Sequence, residues 1–470
     1  MEAHALLADV DRLRADLPPG FADDLVVAIY DEAEAIARAS VDTDGLPARL
    51  VWDQRLDRLL THRVGGFVAM GVLFYLVFWF TIAGAALPSD LLFEVLVEHG
   101  HPAIRSVFEG AGSPAWLTGV LVDGVYLGVA WVVAVMLPPM AIFFPLFTLL
   151  EDLGYLPRVA FNLDRLFAGA GAHGKQALTM MMGFGCNAAG VTATRIIDSP
   201  RERLIAIITN NFSICNGRWP TLILMGTIFL GTLVPAPLAG AVAAASVVLV
   251  ACLGIVVSFV VASVLSRTVL RGETSVYTLE LPPYRRPQVW RTIYTSVVDR
   301  TLKVLTRALV MAAPAGAVIW SISNVRIGGS SLAAHLAAAL DPVGVVMGLN
   351  GIILLAYVVA IPANEIIIPT ILMLTVSLGA GAHAQAGVMM DLSTAQAGAV
   401  LVGVGGWTVL TGVNLMLFTL LHHPCSTTVL TIGRETRSLK WTAVATVLPL
   451  ALGFLVTAGT TGAARLFGVA

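Results

Sequence analysis

The chain has 470 residues, of which 57% are hydrophobic and 12% charged. A soluble protein carries about 25% charge, so this composition describes a polytopic membrane protein rather than a soluble enzyme. The net charge of −2 excludes a general nucleic-acid surface, and four scattered cysteines without a CxxC pair exclude a disulfide-rich ectodomain.

Residues 1–63 read as a helical arm resting on the cytoplasmic face. Leu6, Val10, Leu13 and Leu17 keep a helical spacing that Pro18-Pro19-Gly20 ends. A second pattern over about 22–40 puts Ile29, Ala33, Ile36 and Ala37 on one face. An arm of about 60 residues buries only a marginal core. No apolar run with a cleavage site precedes the first span, so we expect no signal peptide.

Apolar runs near 64–86, 124–150, 204–233, 239–266, 304–322, 396–422 and 441–462 reach the roughly 20 residues that a span needs. Two more, 176–193 and 347–378, are interrupted by Gly, Asn or Pro and read as re-entrant or broken. Lys and Arg gather before the first span, over 267–303 and over 433–440, while 87–122 and 323–346 carry one Arg each and 379–395 none. By the positive-inside rule the seven spans place the N-terminus inside and the C-terminus outside. The expected fold is therefore an all-α membrane protein with about seven transmembrane helices and two broken segments. The expected divisions are 1–63 (arm), 64–123 (first span and external loop), 124–266 (first repeat), 267–303 (cytoplasmic connection) and 304–470 (second repeat).

Span, broken segment, span, span occurs twice with opposite orientation, an inverted repeat. Interrupted helices at matching places in such repeats point to a transporter's central site. The two breaks share an asparagine, in Gly-Cys-Asn at 185–187 and Pro-Ala-Asn-Glu at 362–365.

The chemistry concentrates at these interruptions. Glu365 lies in an apolar run where a carboxylate costs about 2.5–3.5 kcal/mol to insert, so it reads as a cation ligand, with Asn364 and Asn187 offering neutral oxygens. Cys186, Cys215 and Cys425 each sit at a helix break, beside Asn, Asn-Gly or Pro. Thiols suit soft or borderline transition metals and not Mg²⁺ or Ca²⁺. Cys252, in a plain apolar run, reads as filler. His422 and His423 precede Pro424-Cys425, an imidazole–thiol cluster. Met180 to Met182 read as packing.

The stretch Gly169 to Gln176 nearly matches the phosphate-binding pattern G-x-x-x-x-G-K-[ST], yet Gln176 stands where the Mg²⁺-holding hydroxyl belongs. No apolar strand leads into it, so no nucleotide site is expected. Neither a hydrolase triad nor a metal-hydrolase helix is present in the sequence.

The motifs resemble those of the FeoB ferrous-iron transporters. The matching stretches are Leu-Glu-Asp-Leu-Gly-Tyr-Leu-Pro-Arg at 150–158, His-Gly-Lys at 173–175, Gly-Phe-Gly-Cys-Asn at 183–187 and Ala-Thr-Arg at 193–195. Arg-Glu-Arg-Leu at 201–204, Glu-Leu-Pro-Pro-Tyr-Arg at 280–285, Pro-Ala-Asn-Glu at 362–365 and His-Pro-Cys-Ser-Thr-Thr at 423–428 follow in the family's order. The resemblance implies two Gate segments, about 140–235 and 308–425, in a multi-pass protein of a prokaryotic inner membrane that moves Fe²⁺ into the cytoplasm. It implies an iron path over Cys186, Cys215 and Cys425, with Glu151 and Asp152 as the acidic pair of the first Gate and Glu365 as the acid of the second. Asn187, Asn364 and His423 complete the expected metal set. No permanently bound cofactor is expected, only the transported Fe²⁺.

Family members usually begin with a guanine-nucleotide-binding domain, whereas residues 1–63 resemble the end of the helical linker that follows it. A separate GTPase subunit and a small FeoA-like cytosolic protein are the implied partners, with membrane lipid and a homo-oligomer. Ala188-Ala189-Gly190 replaces the family's Pro-containing position after Gly-Cys-Asn. Two other functions compete. One is a carrier of another divalent metal or a nucleoside-like solute; the other is a non-transporting membrane partner of a GTPase.

Overall fold

The computed structural model describes residues 21–40, 48–62, 64–169, 171, 174–272, 284–285, 287–379 and 394–468. The first helical pattern of the arm and part of the phosphate-loop-like stretch lie outside the described residues. The rest of the arm is two helices, α1 (Phe21–Ser40) and α2 (Ala48–Leu60). One ionic cluster ties α2 down. Asp57 accepts from Arg158 Nε at 3.0 Å and from the Tyr284 hydroxyl at 2.7 Å. The Arg158 guanidinium also lies 4.2 Å from the centroid of the Tyr284 ring. Asn162 Nδ2 donates to the Leu60 carbonyl at 2.7 Å, closing the end of α2.

The first long helix, α3 (Gly65–Gly110), has 46 residues, about 69 Å at the α-helical rise. That is more than twice a bilayer core of about 30 Å. Beyond Pro88 its sequence turns charged and it widens into a π-helical stretch, Glu94–Gly100. The 87–122 segment, expected as a loop, is thus largely helix continuing out of the membrane. It is anchored to the next helix, α4 (Ala115–Asp152): His101 Nε2 lies 2.8 Å from Asp123 Oδ1, and Arg105 Nη1 donates to both Asp123 oxygens at 3.1 Å.

The chain continues through α5 (Tyr155–Gly169), α6 (Lys175–Gly185), α7 (Asn187–Ala193), α8 (Pro200–Thr209), α9 (Trp219–Met225) and α10 (Ala236–Arg267). The second half has α11 (Val289–Asn324), α12 (Leu332–Val346), α13 (Gly351–Val359), α14 (Ile367–Gly379), α15 (Thr394–Val404), α16 (Val409–Leu421), α17 (Ser426–Thr436) and α18 (Leu439–Leu466). A two-stranded hairpin, Arg326–Ile327 with Ser330–Ser331, precedes α12. Helices α4 and α11 approach backbone to backbone through small residues. A Cβ on Gly124 would stand 3.0 Å from the Gly316 carbonyl oxygen, the contact that small residues permit between membrane helices.

Among the described residues six helical stretches are long and apolar enough to cross a membrane; α12 with α13, bent by 111°, makes seven if taken as one span. Both expected broken segments are broken. Two expected continuous spans are not continuous. The 204–233 run is interrupted between α8 and α9, where Asn210–Phe212 and Asn216–Arg218 form short 3-10 turns around extended Ser213. The 396–422 run stops at Val404, restarts at Val409 and breaks again at His422, where the prolyl ring of Pro424 forces the preceding residues out of helix. Among the described residues four breaks enter the middle of the protein.

Candidate metal path where four broken helices meet

The four breaks form two matched pairs. Cys186 has φ −153° and ψ 118°, and Ala363 has φ −152° and ψ 122°. Cys215 (φ −74°, ψ 165°) and Cys425 (φ −62°, ψ 158°) are likewise alike. Each is the last extended residue before a helical turn, so four chain ends present the start of a helix to one place.

That place is a cavity of about 40 Å³, lined by Cys186, Asn187, Cys215, Asn364, Glu365 and Cys425 among others. The sequence reading nominated all six. Polar backbone of this kind inside a membrane protein is tolerated where it lines a cavity or is buried in protein. Cys252, by contrast, faces outward from α10.

Hydrogen bonds hold the ends in register. Within the first repeat, Asn210 Nδ2 donates to the Asn187 carbonyl at 2.9 Å. The Asn187 amide is best oriented with its nitrogen donating to the Gly183 and Ser213 carbonyls at 2.9 and 3.1 Å. Within the second repeat, the Ser426 backbone N–H donates to the Ile361 carbonyl at 2.8 Å. Between repeats, the Asn364 amide lies 3.8 Å from Cys215 Sγ; within the second, it lies 3.3 Å from His422 Nε2. His422 Nδ1 lies 2.8 Å from the Thr419 carbonyl, which can only accept, so Nδ1 carries a proton.

Arg218 is the largest stitch between the repeats, and the sequence reading passed over it. Its side chain is wholly buried. Nη1 donates to the Asn211 and Leu420 carbonyls at 2.9 and 3.1 Å, and Nη2 to those of His422 and His423 at 3.3 and 3.5 Å. A cation at the carbonyl end of α16 is where the helix dipole favours it. Arg218 thereby holds the His422–Cys425 break against the Cys215 break. No pattern in the sequence marks this role, since three of its four partners are backbone carbonyls 202 to 205 residues away.

Glu365 is half-buried beside Gly217. A Cβ there would stand 2.5 Å from the Glu365 carboxyl carbon, so only glycine lets the carboxylate lie against this backbone. Among the described residues no Lys or Arg forms an ion pair with Glu365. Cys425 Sγ lies 3.2 Å from Thr428 Oγ1, the hydroxyl one turn along α17.

Three expected ligands lie elsewhere. Glu151 and Asp152 border a separate cleft of about 610 Å³ at the end of α4. Glu151 pairs with Arg300 at 3.5 Å, and Asp152 accepts from the Thr292 hydroxyl at 2.7 Å. They stand 11 and 12 residues beyond Met140, which lines the central cavity, or about 16–18 Å along the helix. His423 points back to the Pro424 carbonyl at 3.1 Å; it is His422 that contacts Asn364. Among the described residues no group of three or more His, Cys, Asp or Glu side chains is arranged to hold a metal ion. The cavity collects soft and hard donors loosely, without a closed cage.

A Gate family model, described as nucleoside recognition, matches residues 133–229, and a model for the C terminus of ferrous iron transport protein B matches 247–300. The chain is FeoB-like. It is 29% identical over 422 residues to the Fe(2+) transporter FeoB of Staphylococcus aureus (strain MSSA476), covering 86% of this chain and 58% of that protein. The FeoB of Leptospira biflexa is 27% identical over 423 residues, with 86% and 59% covered. That of Synechocystis is 28% identical over 345 residues, with 73% and 52% covered. The FeoB-like chain thus spans less than three fifths of these relatives' length. No solved structure matches it. The Gate match contains α6 to α9 and the breaks at Cys186 and Cys215.

Proposed function

We propose that this protein carries Fe²⁺ across a prokaryotic inner membrane into the cytoplasm, and that the ion passes through the cavity where the four breaks meet. The observation that carries the reading is the donor set itself. Three thiols, two carboxamides and one carboxylate converge at membrane depth, a mixture suited to a borderline divalent transition metal. Because conduction requires ligands weak enough to release the ion, a loose donor set fits a path better than a closed site would. A nucleoside site would be lined by stacking aromatics, and the residues converging here are thiols and carboxamides. The curated relatives are named for Fe²⁺ transport, in keeping with this reading. A GTPase, a small FeoA-like protein and further copies of the chain are the partners the relationship suggests.

The test is anaerobic ⁵⁵Fe²⁺ uptake into proteoliposomes holding the purified chain, with Mn²⁺, Zn²⁺ and adenosine as competitors. The proposal predicts uptake that the metals inhibit and adenosine does not. Inhibition by adenosine alone would transfer the site to a nucleoside-like solute.

A further inference from the structure

Behind the cavity a second set of polar groups runs along α6 toward its Lys175 end, where Lys175 pairs with Asp198 at 3.0 Å. Gln176, Thr179, Asn187, Thr209, Asn210 and Ser213 are each at least 97% buried. They are linked in sequence. Gln176 Nε2 donates to Thr209 Oγ1 at 2.6 Å, and Asn210 Nδ2 donates to the Asn187 carbonyl at 2.9 Å. Two glycines let the Asn210 amide into this seam. A Cβ on Gly183 would stand 2.5 Å from Asn210 Oδ1 and 3.0 Å from Ser213 Oγ; one on Gly190 would stand 2.7 Å from the Thr179 carbonyl and 2.8 Å from Asn210 Nδ2.

The amide nitrogens of Gln176 and Asn210 are used, and three oxygens of the seam are not. Gln176 Oε1, Asn210 Oδ1 and Ser213 Oγ have no hydrogen-bond partner within the protein. Buried polar atoms nearly always have a partner, and an exception calls for a water, an ion or a function. From Gln176 to Asn187 is 11 residues, about 16 Å along a helix, roughly half of the bilayer core. The seam is therefore long enough to join the cavity to the Lys- and Arg-rich side, the cytoplasmic side by the positive-inside rule.

We propose that this seam is the inner half of the permeation path, a row of neutral oxygen ligands that takes a divalent cation from the thiol-lined cavity and releases it inward. The inference rests on the transport reading above. Its chemistry differs from that of the cavity: carboxamide, hydroxyl and carbonyl oxygens carry no charge and no sulfur. They hold Fe²⁺ or Mn²⁺ weakly, as release requires, and discriminate against soft ions such as Cd²⁺.

Ser213→Ala separates this role from a structural one. Ser213 Oγ makes no hydrogen bond within the protein, so its removal leaves the fold as stable as before, or more so. In full-length protein in proteoliposomes, ⁵⁵Fe²⁺ uptake should fall about tenfold in this variant, the effect of losing one polar contact. Mass spectrometry of maleimide labelling at Cys186, Cys215 and Cys425 reports the cavity independently. Fe²⁺ should protect these thiols equally in the variant and the wild type. Uptake at the wild-type rate in both Ser213→Ala and Asn210→Ser would overturn the seam while leaving the cavity standing. Absence of Fe²⁺ protection in the wild type would instead remove the cavity reading, and the seam with it.

Discussion

Cys186 and Ala363 occupy the same backbone position in two copies of one motif, their φ and ψ angles agreeing within 1° and 4° (−153°, 118° against −152°, 122°). Each is followed by an asparagine that lines the cavity, Asn187 and Asn364. The repeat differs in what it carries there: a thiol in the first copy and a methyl in the second. Three thiols rather than four therefore line the cavity, one short of the tetrahedral thiolate set that retains Zn²⁺ as a structural ion.

Ala363→Cys should therefore convert a path into a trap. We expect the variant to bind Zn²⁺ or Cd²⁺ at least tenfold more tightly, a difference of about 1.4 kcal/mol, and to transport Fe²⁺ more slowly. Isothermal titration under reducing conditions checks the first part. Unchanged affinity would mean that position 363 does not face the ion.

Gly217→Ala places a methyl group 2.5 Å from the Glu365 carboxyl carbon. The carboxylate must turn away, so Fe²⁺ uptake should drop to the level of Glu365→Ala while the thermal midpoint moves little. If Gly217→Ala transports normally and Glu365→Ala does not, the close approach of these two residues has no bearing on the ion.

Arg218→Met removes a buried cation and leaves four carbonyl groups without their donor. Stranding a buried polar group costs about 1–3 kcal/mol, so the variant should be less stable by several kcal/mol in detergent unfolding. Lysine lacks the planar fork that reaches both ends, and Arg218→Lys should recover only part of the loss. Full recovery would show that the charge, and not the geometry, holds the breaks together.

The arm offers a pH test outside the membrane. Burial first, and next the hydrogen bond donated to Asp57, push the Tyr284 hydroxyl above its ordinary value. The folded protein therefore keeps the Tyr284 proton at a pH where the unfolded chain has lost it. Its contribution to stability is complete below about pH 10 and falls as pH rises toward the folded-state value. Tyr284→Phe should flatten this alkaline loss, read as the pH dependence of proteolysis within residues 41–62. An alkaline profile identical to the wild type would place the titrating group elsewhere.

Much of this was legible in the sequence, and the exceptions have physical causes. Glycine, asparagine and proline marked the breaks at Cys186 and Pro362 because those residues interrupt apolar runs that are otherwise uniform. The break beside Cys215 was marked by Asn216-Gly217, but its extent was not: Phe212-Ser213-Ile214-Cys215 is apolar enough to pass for span, and its departure from helix is enforced by Asn210 and Arg218 bonding elsewhere in the fold. Pro424 was visible, but not that His422 rather than His423 meets Asn364, since that depends on the direction in which α16 ends. Glu151 and Asp152 were chosen for their chemistry. Their distance from the cavity follows from helical rise along α4, which could not be counted until the cavity's own place on that helix was known. That Gln176 Oε1, Asn210 Oδ1 and Ser213 Oγ lack partners could not be read from the chain, since it depends on packing across separate helices.

The central claim is that sulfur and oxygen ligands from the four breaks meet one ion. X-ray absorption at the iron K edge, on anaerobic protein loaded with Fe²⁺, tests it most directly. The account predicts a mixed shell of sulfur with oxygen or nitrogen, whose sulfur component diminishes in Cys215→Ser and vanishes in the triple replacement Cys186→Ser, Cys215→Ser, Cys425→Ser. A shell of oxygen and nitrogen alone, identical in wild type and triple variant, would contradict it.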